Sequence, residues 1–256
     1  MRYTAHLLGS LWMILRASAF VCVRTTNVRQ LICPLQMAAE AGSGGGTSTK
    51  KPLRVLALHG SEGTGLEFSV RLYPLREKLL QDNIDMQITA ISAPFNKGHG
   101  YAWWTMEQGV RSFNAEEYIG FEESASIVLR YLSVLSPELV VGHSQGAILV
   151  AALIAQNRIP NHPANGYILN GVAWPNPYGQ QLFNLKLDEH ISPPRLLFVM
   201  GEDDMINPLS SAKQVRDRLD HSGYQVTTHT HSGGHSVPCD EESIRTMAEW
   251  ALQGAW

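Results

Sequence analysis

One eight-residue stretch, Val140-Val141-Gly142-His143-Ser144-Gln145-Gly146-Ala147, limits the folds open to this chain more than any other. A β-branched apolar run leads into it, and an apolar run from Ala147 to Gln156 leads out. The spacing G-x-S-x-G lets the backbone reverse sharply from a strand into a helix, because glycine adds no side chain at the two crowded positions. A strand that passes directly into a helix belongs to a sheet whose strands run parallel and are joined by crossovers. At the tip of such a turn Ser144 stands clear of the sheet with Oγ exposed, which is what a nucleophile needs.

The rest of the chain repeats the alternation. Leu53–Leu58, Met86–Ser92, Glu138–Gly142, Gly166–Gly171, Leu196–Met200 and Gln225–Thr230 read as strands. Helical spacing runs over Leu66–Gln81 (Phe68, Leu72, Leu75, Leu79), where Pro74 should kink or split the helix. It recurs over Tyr118–Leu135, with Glu117, Glu122 and Glu123 near the helix start, and over Ala147–Gln156, Leu209–Leu219 and Glu241–Leu252. The expected fold class is α/β, with a mostly parallel central sheet and helices on both faces. Sites in such sheets form at the C-terminal ends of strands. Residues 93–117 and 172–194 read as long loops, with Asn176, Pro177 and Gly179 marking turns.

A serine nucleophile in this setting calls for an acid and then a histidine further along the chain. The strand Leu196–Met200 ends in Gly201-Glu202-Asp203-Asp204-Met205-Ile206. The G-x-x-D spacing favours Asp204, with Asp203 as the alternative. After the last strand come His229, His231 and His235. His229 and His231 point the same way on a strand, whereas Gly233-Gly234-His235 lies in the loop beyond and can turn its imidazole toward Ser144. His235 is therefore the expected base, with Asp204 orienting it. A competing reading makes His229, His231 and His235 zinc ligands, but it lacks a fourth ligand and leaves the elbow without a base. The oxyanion donors are expected from the N–H of Gln145 and from the N–H of Ser61, in the loop after the first strand. A phosphate-cradling role for His59 to Gly65 is poor, since no G-K-[ST] follows. Phe95, Trp103, Trp104, Trp174, Met205 and Val237, with Tyr178 and Ile206, sit in loops near the strand ends and suggest an apolar mouth for an acyl chain.

Together these residues resemble the family serine hydrolases (FSH family, α/β-hydrolase fold). The matching features are Leu58-His59-Gly60, Ala93-Pro94-Phe95, the Trp103-Trp104 pair, Gly142-His143-Ser144-Gln145-Gly146 and Gly201-Glu202-Asp203-Asp204. The most family-specific is His231-Ser232-Gly233-Gly234-His235-Ser236-Val237-Pro238. The resemblance covers about residues 52–254 and implies hydrolysis of carboxylic esters or thioesters, with no metal or organic cofactor. Ser61, Gly63-Thr64-Gly65 and Ser144-Gln145-Gly146 look closer to acyl-protein thioesterases, which keeps thioester hydrolysis as an alternative. No long insertion lies between residues 147 and 194, so short to medium acyl chains are expected. The remaining alternatives are a different triad reaction on the same fold, or a binding module that kept the fold without the chemistry.

Charge separates the N-terminal segment from this body. The net −3 of the 256 residues conceals a split at Met37. Residues 1–36 hold Arg2, Arg16, Arg24 and Arg29 and no acid. That leaves 16 basic against 23 acidic residues in 37–256, a net −7. An acidic body argues against nucleic acid as partner, and a small-molecule ester or thioester is the expected one. Leu7–Leu15 is too short to span a bilayer, which takes about 20 residues, so no stable membrane insertion is expected. Arg16 and Ala17-Ser18-Ala19-Phe20 follow, then an acid-free stretch to Pro34, like an organellar presequence of plastid or mitochondrial type. If translation instead starts at Met37, the protein is expected in the cytoplasm. Residues 1–50 are assigned to a leader and 51–256 to one hydrolase-type domain. Cys22 and Cys33 fall in the leader, so Cys239 is the body's single cysteine and no disulfide framework is expected there.

Overall fold

The computed structural model describes residues 51–159, 164, 166–187 and 193–253. The leader, with its presequence reading and two of the three cysteines, lies outside the described residues. In chain order the elements are β1 (Leu53–Leu58), α1 (Gly65–Arg71), α2 (Tyr73–Gln81), β2 (Met86–Ile91), β3 (Phe95–Asn96), β4 (Tyr101–Ala102), α3 (Phe121–Leu135), β5 (Leu139–His143), α4 (Gln145–Ala155), β6 (Gly166–Asn170), α5 (Asn176–Asn184), β7 (Arg195–Gly201), α6 (Leu209–His221), β8 (Gln225–His231) and α7 (Glu241–Leu252). Six strands form one sheet in the order β2-β1-β5-β6-β7-β8. Every pairing in it is parallel.

Strand periodicity divides the core into two layers. Leu56 and Leu58 of β1, Val140 of β5, and Leu196, Phe198 and Met200 of β7 face the layer built with α3, α4, α5 and α6. Val55, Ala57, Leu139, Val141, Leu197 and Val199 face the opposite layer, with α1, α2 and α7. Helix α4 is buried along its whole length, which accounts for its unbroken apolar sequence. Each fully buried Leu or Phe contributes roughly 1.5–3 kcal/mol of transfer free energy.

Pro74 splits the expected helix rather than kinking it. It stands in the first turn of α2, where its missing N–H costs no helical hydrogen bond, and Leu72 joins the two helices. Helix α3 starts at Phe121 instead of Tyr118 because Gly120 holds φ +86°, outside helical space. The two long loops hold structure that the sequence reading did not expect. Residues 93–117 contain the β3–β4 hairpin, which lies against the loop after β1 through Glu62 N–H to the Tyr101 carbonyl (2.8 Å) and Tyr101 N–H to the Gly63 carbonyl (2.9 Å). Asn176, Pro177 and Gly179 open α5 rather than marking turns: Pro177 fits a first helical turn, and a Cβ at Gly179 would lie 2.2 Å from the Trp174 indole nitrogen.

Candidate active site

The nucleophile elbow begins where β5 ends. A Cβ at Gly142 would sit 2.8 Å from the Ala147 backbone, and one at Gly146 only 2.3 Å from the Leu58 carbonyl oxygen. Both positions therefore need glycine for the turn to pack under β1. Between them Ser144 takes φ +51°, ψ −118°, a strained conformation for a residue with a side chain. Its N–H donates to the Asn170 carbonyl at 2.9 Å.

The loops after β7 and β8 bring two side chains to Ser144. Ser144 Oγ and His235 Nε2 are 2.8 Å apart, and His235 Nδ1 and Asp204 Oδ2 are 2.7 Å apart. The carboxylate can only accept, so Nδ1–H donates to it and Nε2 is left to accept from the Ser144 hydroxyl. Asp204 Oδ1 accepts from the N–H groups of Ile206 (2.9 Å) and Asn207 (2.8 Å). Burial draws the Asp204 carboxyl upward, but the hydrogen bonds from His235 and Asn207, the imidazole's charge and the Ile206 N–H outweigh it. The group is held below the usual carboxylate range. Asp203, the alternative acid, is exposed and makes neither contact.

The zinc reading is not supported by this geometry. His229 Nε2 is bonded to Ser243 Oγ (2.8 Å), His231 Nδ1 accepts from the Gly233 N–H (3.2 Å), and His235 is held between Asp204 and Ser144. The three rings are turned to separate partners and do not converge. Among the described residues no cluster of three metal-ligating side chains forms.

The loop after β1 lies directly against Ser144: a Cβ at Gly60 would be 3.0 Å from Ser144 Cβ and 3.1 Å from His143 Cδ2. His59, buried beside it, braces the loop. Its Nε2 accepts from the Ala93 N–H (2.9 Å), so its Nδ1–H donates to the Gly60 carbonyl (2.6 Å). Burial lowers the proton affinity of this imidazole and favours the neutral form that the pattern requires. The Ser61 N–H makes no hydrogen bond with another described residue.

The apolar mouth is largely corrected. Trp103 and Trp104 are fully buried. Trp103 donates its indole N–H to the His59 carbonyl (2.7 Å), and Trp104 stacks on Tyr118 at 4.2 Å. The Gln145 side chain fastens the pair to the elbow, accepting from Trp103 N–H (3.0 Å) and donating to the Trp104 carbonyl (3.3 Å). These tryptophans are scaffold because both rings are buried, the Trp103 indole N–H binds inward to the loop after β1, and the backbone of both is bound by the Gln145 side chain. Phe95 packs on Gly120, Trp174 meets Phe183 edge-on at 5.8 Å, and Val237 packs against the core layer of α1, α2 and α7. Met205, 88% exposed, and Ile206, 37% exposed, remain as apolar surface beside Asp204.

Two residues at the site escaped the sequence reading. Asn170 at the end of β6 touches both the elbow and the base loop, and Asn207 donates from its side chain to the Gly171 carbonyl (2.6 Å). The only signal for Asn170 was a polar residue closing an otherwise apolar strand, Tyr167-Ile168-Leu169-Asn170.

The family described as Serine hydrolase (FSH1) matches residues 48–247. The esterase OVCA2 of Danio rerio is 29% identical over 229 residues, covering 78% of this chain and 96% of that protein. The esterase OVCA2 of Xenopus tropicalis is 30% identical over 216 residues, covering 75% of this chain and 89% of that protein. Among solved structures, esterase PE8 superposes with a TM-score of 0.63 at 21% identity, covering 79% of this chain and 93% of that one. With the parallel sheet order, this likeness gives the chain the α/β-hydrolase fold.

Proposed function

The chain belongs to the Serine hydrolase (FSH1) family, and from that premise we propose that it hydrolyses carboxylic esters of short to medium acyl chain through an acyl-enzyme on Ser144. The observation that carries this reading is the continuous hydrogen-bond chain Ser144–His235–Asp204, at 2.8 and 2.7 Å.

In this reading His235 Nε2 takes the hydroxyl proton as Ser144 Oγ attacks the ester carbonyl. The oxyanion forms between the N–H groups of Gln145 and Ser61, each donor contributing about 3 kcal/mol to the barrier reduction. The imidazolium passes its proton to the leaving alcohol, and the acyl group stays on Ser144. Water then enters, His235 takes a proton from it, and the acid product leaves as Ser144 recovers its hydrogen. Asp204 keeps the imidazole in the Nδ1–H tautomer throughout and stabilises its charge. Its depressed proton affinity suits it to stay ionised while it does so. Met205 and Ile206 supply exposed apolar surface for the acyl chain.

The test combines labelling with a substrate series. A fluorophosphonate probe should modify Ser144. p-Nitrophenyl esters of increasing acyl length should be cleaved fastest at short to medium length, and faster than matched thiol esters. Absence of both labelling and turnover would defeat the proposal, and a preference for thiol esters would move the substrate class to thioesters.

A further inference from the structure

The three loops that carry Ser144, Asp204 and His235 belong to different strands, and the end of β6 lies between them. Asn170 is in register with His143 of β5 on one side and Val199 of β7 on the other, and is only 2% exposed. Its carbonyl accepts the Ser144 N–H at 2.9 Å. Its side-chain nitrogen lies 2.7 Å from His143 Nδ1 and 3.1 Å from the Ser236 carbonyl oxygen, in the residue after the base. We propose that Asn170 is a positioning residue: its amide clamps the nucleophile elbow to the base loop and fixes the tautomer of His143 beside His235. This deepens the reading of Ser144 and His235 given above and rests on it.

The chemistry of the contacts leaves one arrangement. The Ser236 carbonyl can only accept, so the amide group facing it must be the NH2. The second hydrogen of that NH2 goes to His143 Nδ1, which places the His143 proton on Nε2 and keeps the ring neutral. The His143 ring lies 5.0 Å from that of His235, tilted by 35°, and stacks with Phe68 at 6.1 Å. Burial, with His235 alongside and Arg71 of α1 adding to it, pushes the His143 proton affinity down to about 3, against the opposing pull of Asp204 and of the Asn170 backbone. A neutral neighbour suits a base that becomes cationic in every acyl transfer.

Gly171 extends the clamp to the acid loop. It holds φ +57°, and a Cβ there would come within 3.1 Å of His235 Cε1. Its carbonyl accepts from the Asn207 side chain, and the Asn207 backbone N–H donates to Asp204 Oδ1. The opposite atom of the Asn170 amide, Oδ1, is buried and has no hydrogen-bond partner among the described residues. An unsatisfied buried oxygen costs about 1–3 kcal/mol. A residue that merely filled this space would be apolar, so the NH2 group is what the position requires.

Two variants of similar size test the inference. Asn170→Leu removes both donors, and kcat should fall at least about tenfold with KM within about twofold of wild type. Asn170→Asp presents an oxygen where the NH2 stood; a shift of the neutral His143 proton to Nδ1 relieves the contact with that ring at any pH, but only a proton on the carboxyl relieves the clash with the Ser236 carbonyl. Its kcat should therefore decline as pH rises between about 5 and about 9, a limb absent from the wild-type profile. A residue with only a packing role would lower activity equally at all pH values. Should either variant fail to fold, imidazole nitrogen NMR of the wild type decides, since His143 must carry its proton on Nε2. Parallel pH profiles, unchanged kcat in folded variants, or a proton on Nδ1 would each overturn the inference. Fluorophosphonate labelling separates the two readings. If wild type is not labelled, the catalytic reading fails and this one with it. If wild type and both variants label at the same rate, only the role of Asn170 fails.

Discussion

Glu138 and Asp204 are buried to the same degree, each 7% exposed, at opposite ends of one sheet, and they are put to different uses. Glu138 precedes β5, at the N-terminal edge of the strands. It accepts from the Arg54 guanidinium at 2.7–3.1 Å, from the Arg54 N–H at 2.9 Å and from Lys51 Nζ at 2.9 Å. Burial raises its proton affinity, and the bonds from Arg54 and Lys51 more than reverse this, to about 2. Asp204, at the C-terminal edge, is lowered too, but its side-chain partner is an imidazole. Arginine and lysine keep their protons at any working pH, so the Glu138 cluster can only hold β1 to β5. An imidazole can gain and lose a proton, so the Asp204 pair can do chemistry. Burial and a lowered pKa do not by themselves mark a site. The partner's ability to change charge does.

That contrast can be broken at either end. The largest effect is expected at the nucleophile: Ser144→Ala and His235→Ala should each lower kcat by about 10⁵- to 10⁶-fold with the melting temperature nearly unchanged. A loss of folding instead would make the elbow serine structural. Asp204→Asn should cost about 10⁴-fold, because an amide facing His235 favours the wrong tautomer. Glu138→Gln should leave kcat per folded molecule unchanged while lowering stability by about 1–3 kcal/mol in urea unfolding, since a charge-assisted set of hydrogen bonds is lost. If it lowered kcat as Asp204→Asn does, the two carboxylates would not differ as argued. The smallest effects are expected from Asp203→Asn and His231→Ala, each within about threefold of wild type in kcat/KM. A loss at His231 equal to that at His235 would reopen the choice of base.

The Glu138 cluster also sets a pH window. A carboxyl whose folded pKa lies below its unfolded value stabilises the protein fully above the unfolded value, in the usual carboxylate range. That contribution is lost as pH falls from there toward about 2. Wild type should therefore lose stability over this interval more steeply than Glu138→Gln, as acid titration of the folding transition would measure. Equal slopes would mean that the cluster contributes nothing.

Much of the fold was legible because local rules act alone in the strands. β1, β5, β6 and β7 each read as a short, mostly apolar run, and the start of α7 was legible in Asp240, which caps its first turn. Ser144 was legible for a different reason: two glycines four positions apart record a backbone collision, which the contacts at Ala147 and Leu58 make explicit. The tryptophans were misplaced because loop position in the sequence says nothing about which side of the loop a ring occupies. Their indoles turn inward to His59 and Tyr118, residues about 44 and 14 positions away. Helix α5 was hidden by Pro177 and Gly179, which serve as well in a first turn as in a loop.

By itself the sequence determined the parallel α/β layering and the sharp strand-to-helix turn at Ser144, since periodicity and glycine spacing are properties of neighbouring residues. Only the tertiary structure put Asp204 rather than Asp203 against His235, turned His229, His231 and His235 to separate partners, and brought Asn170 between the three loops. The contacts of His235 and of the Asn170 side chain join residues 27 to 91 positions apart, and such distances close only when the strands pair in one register.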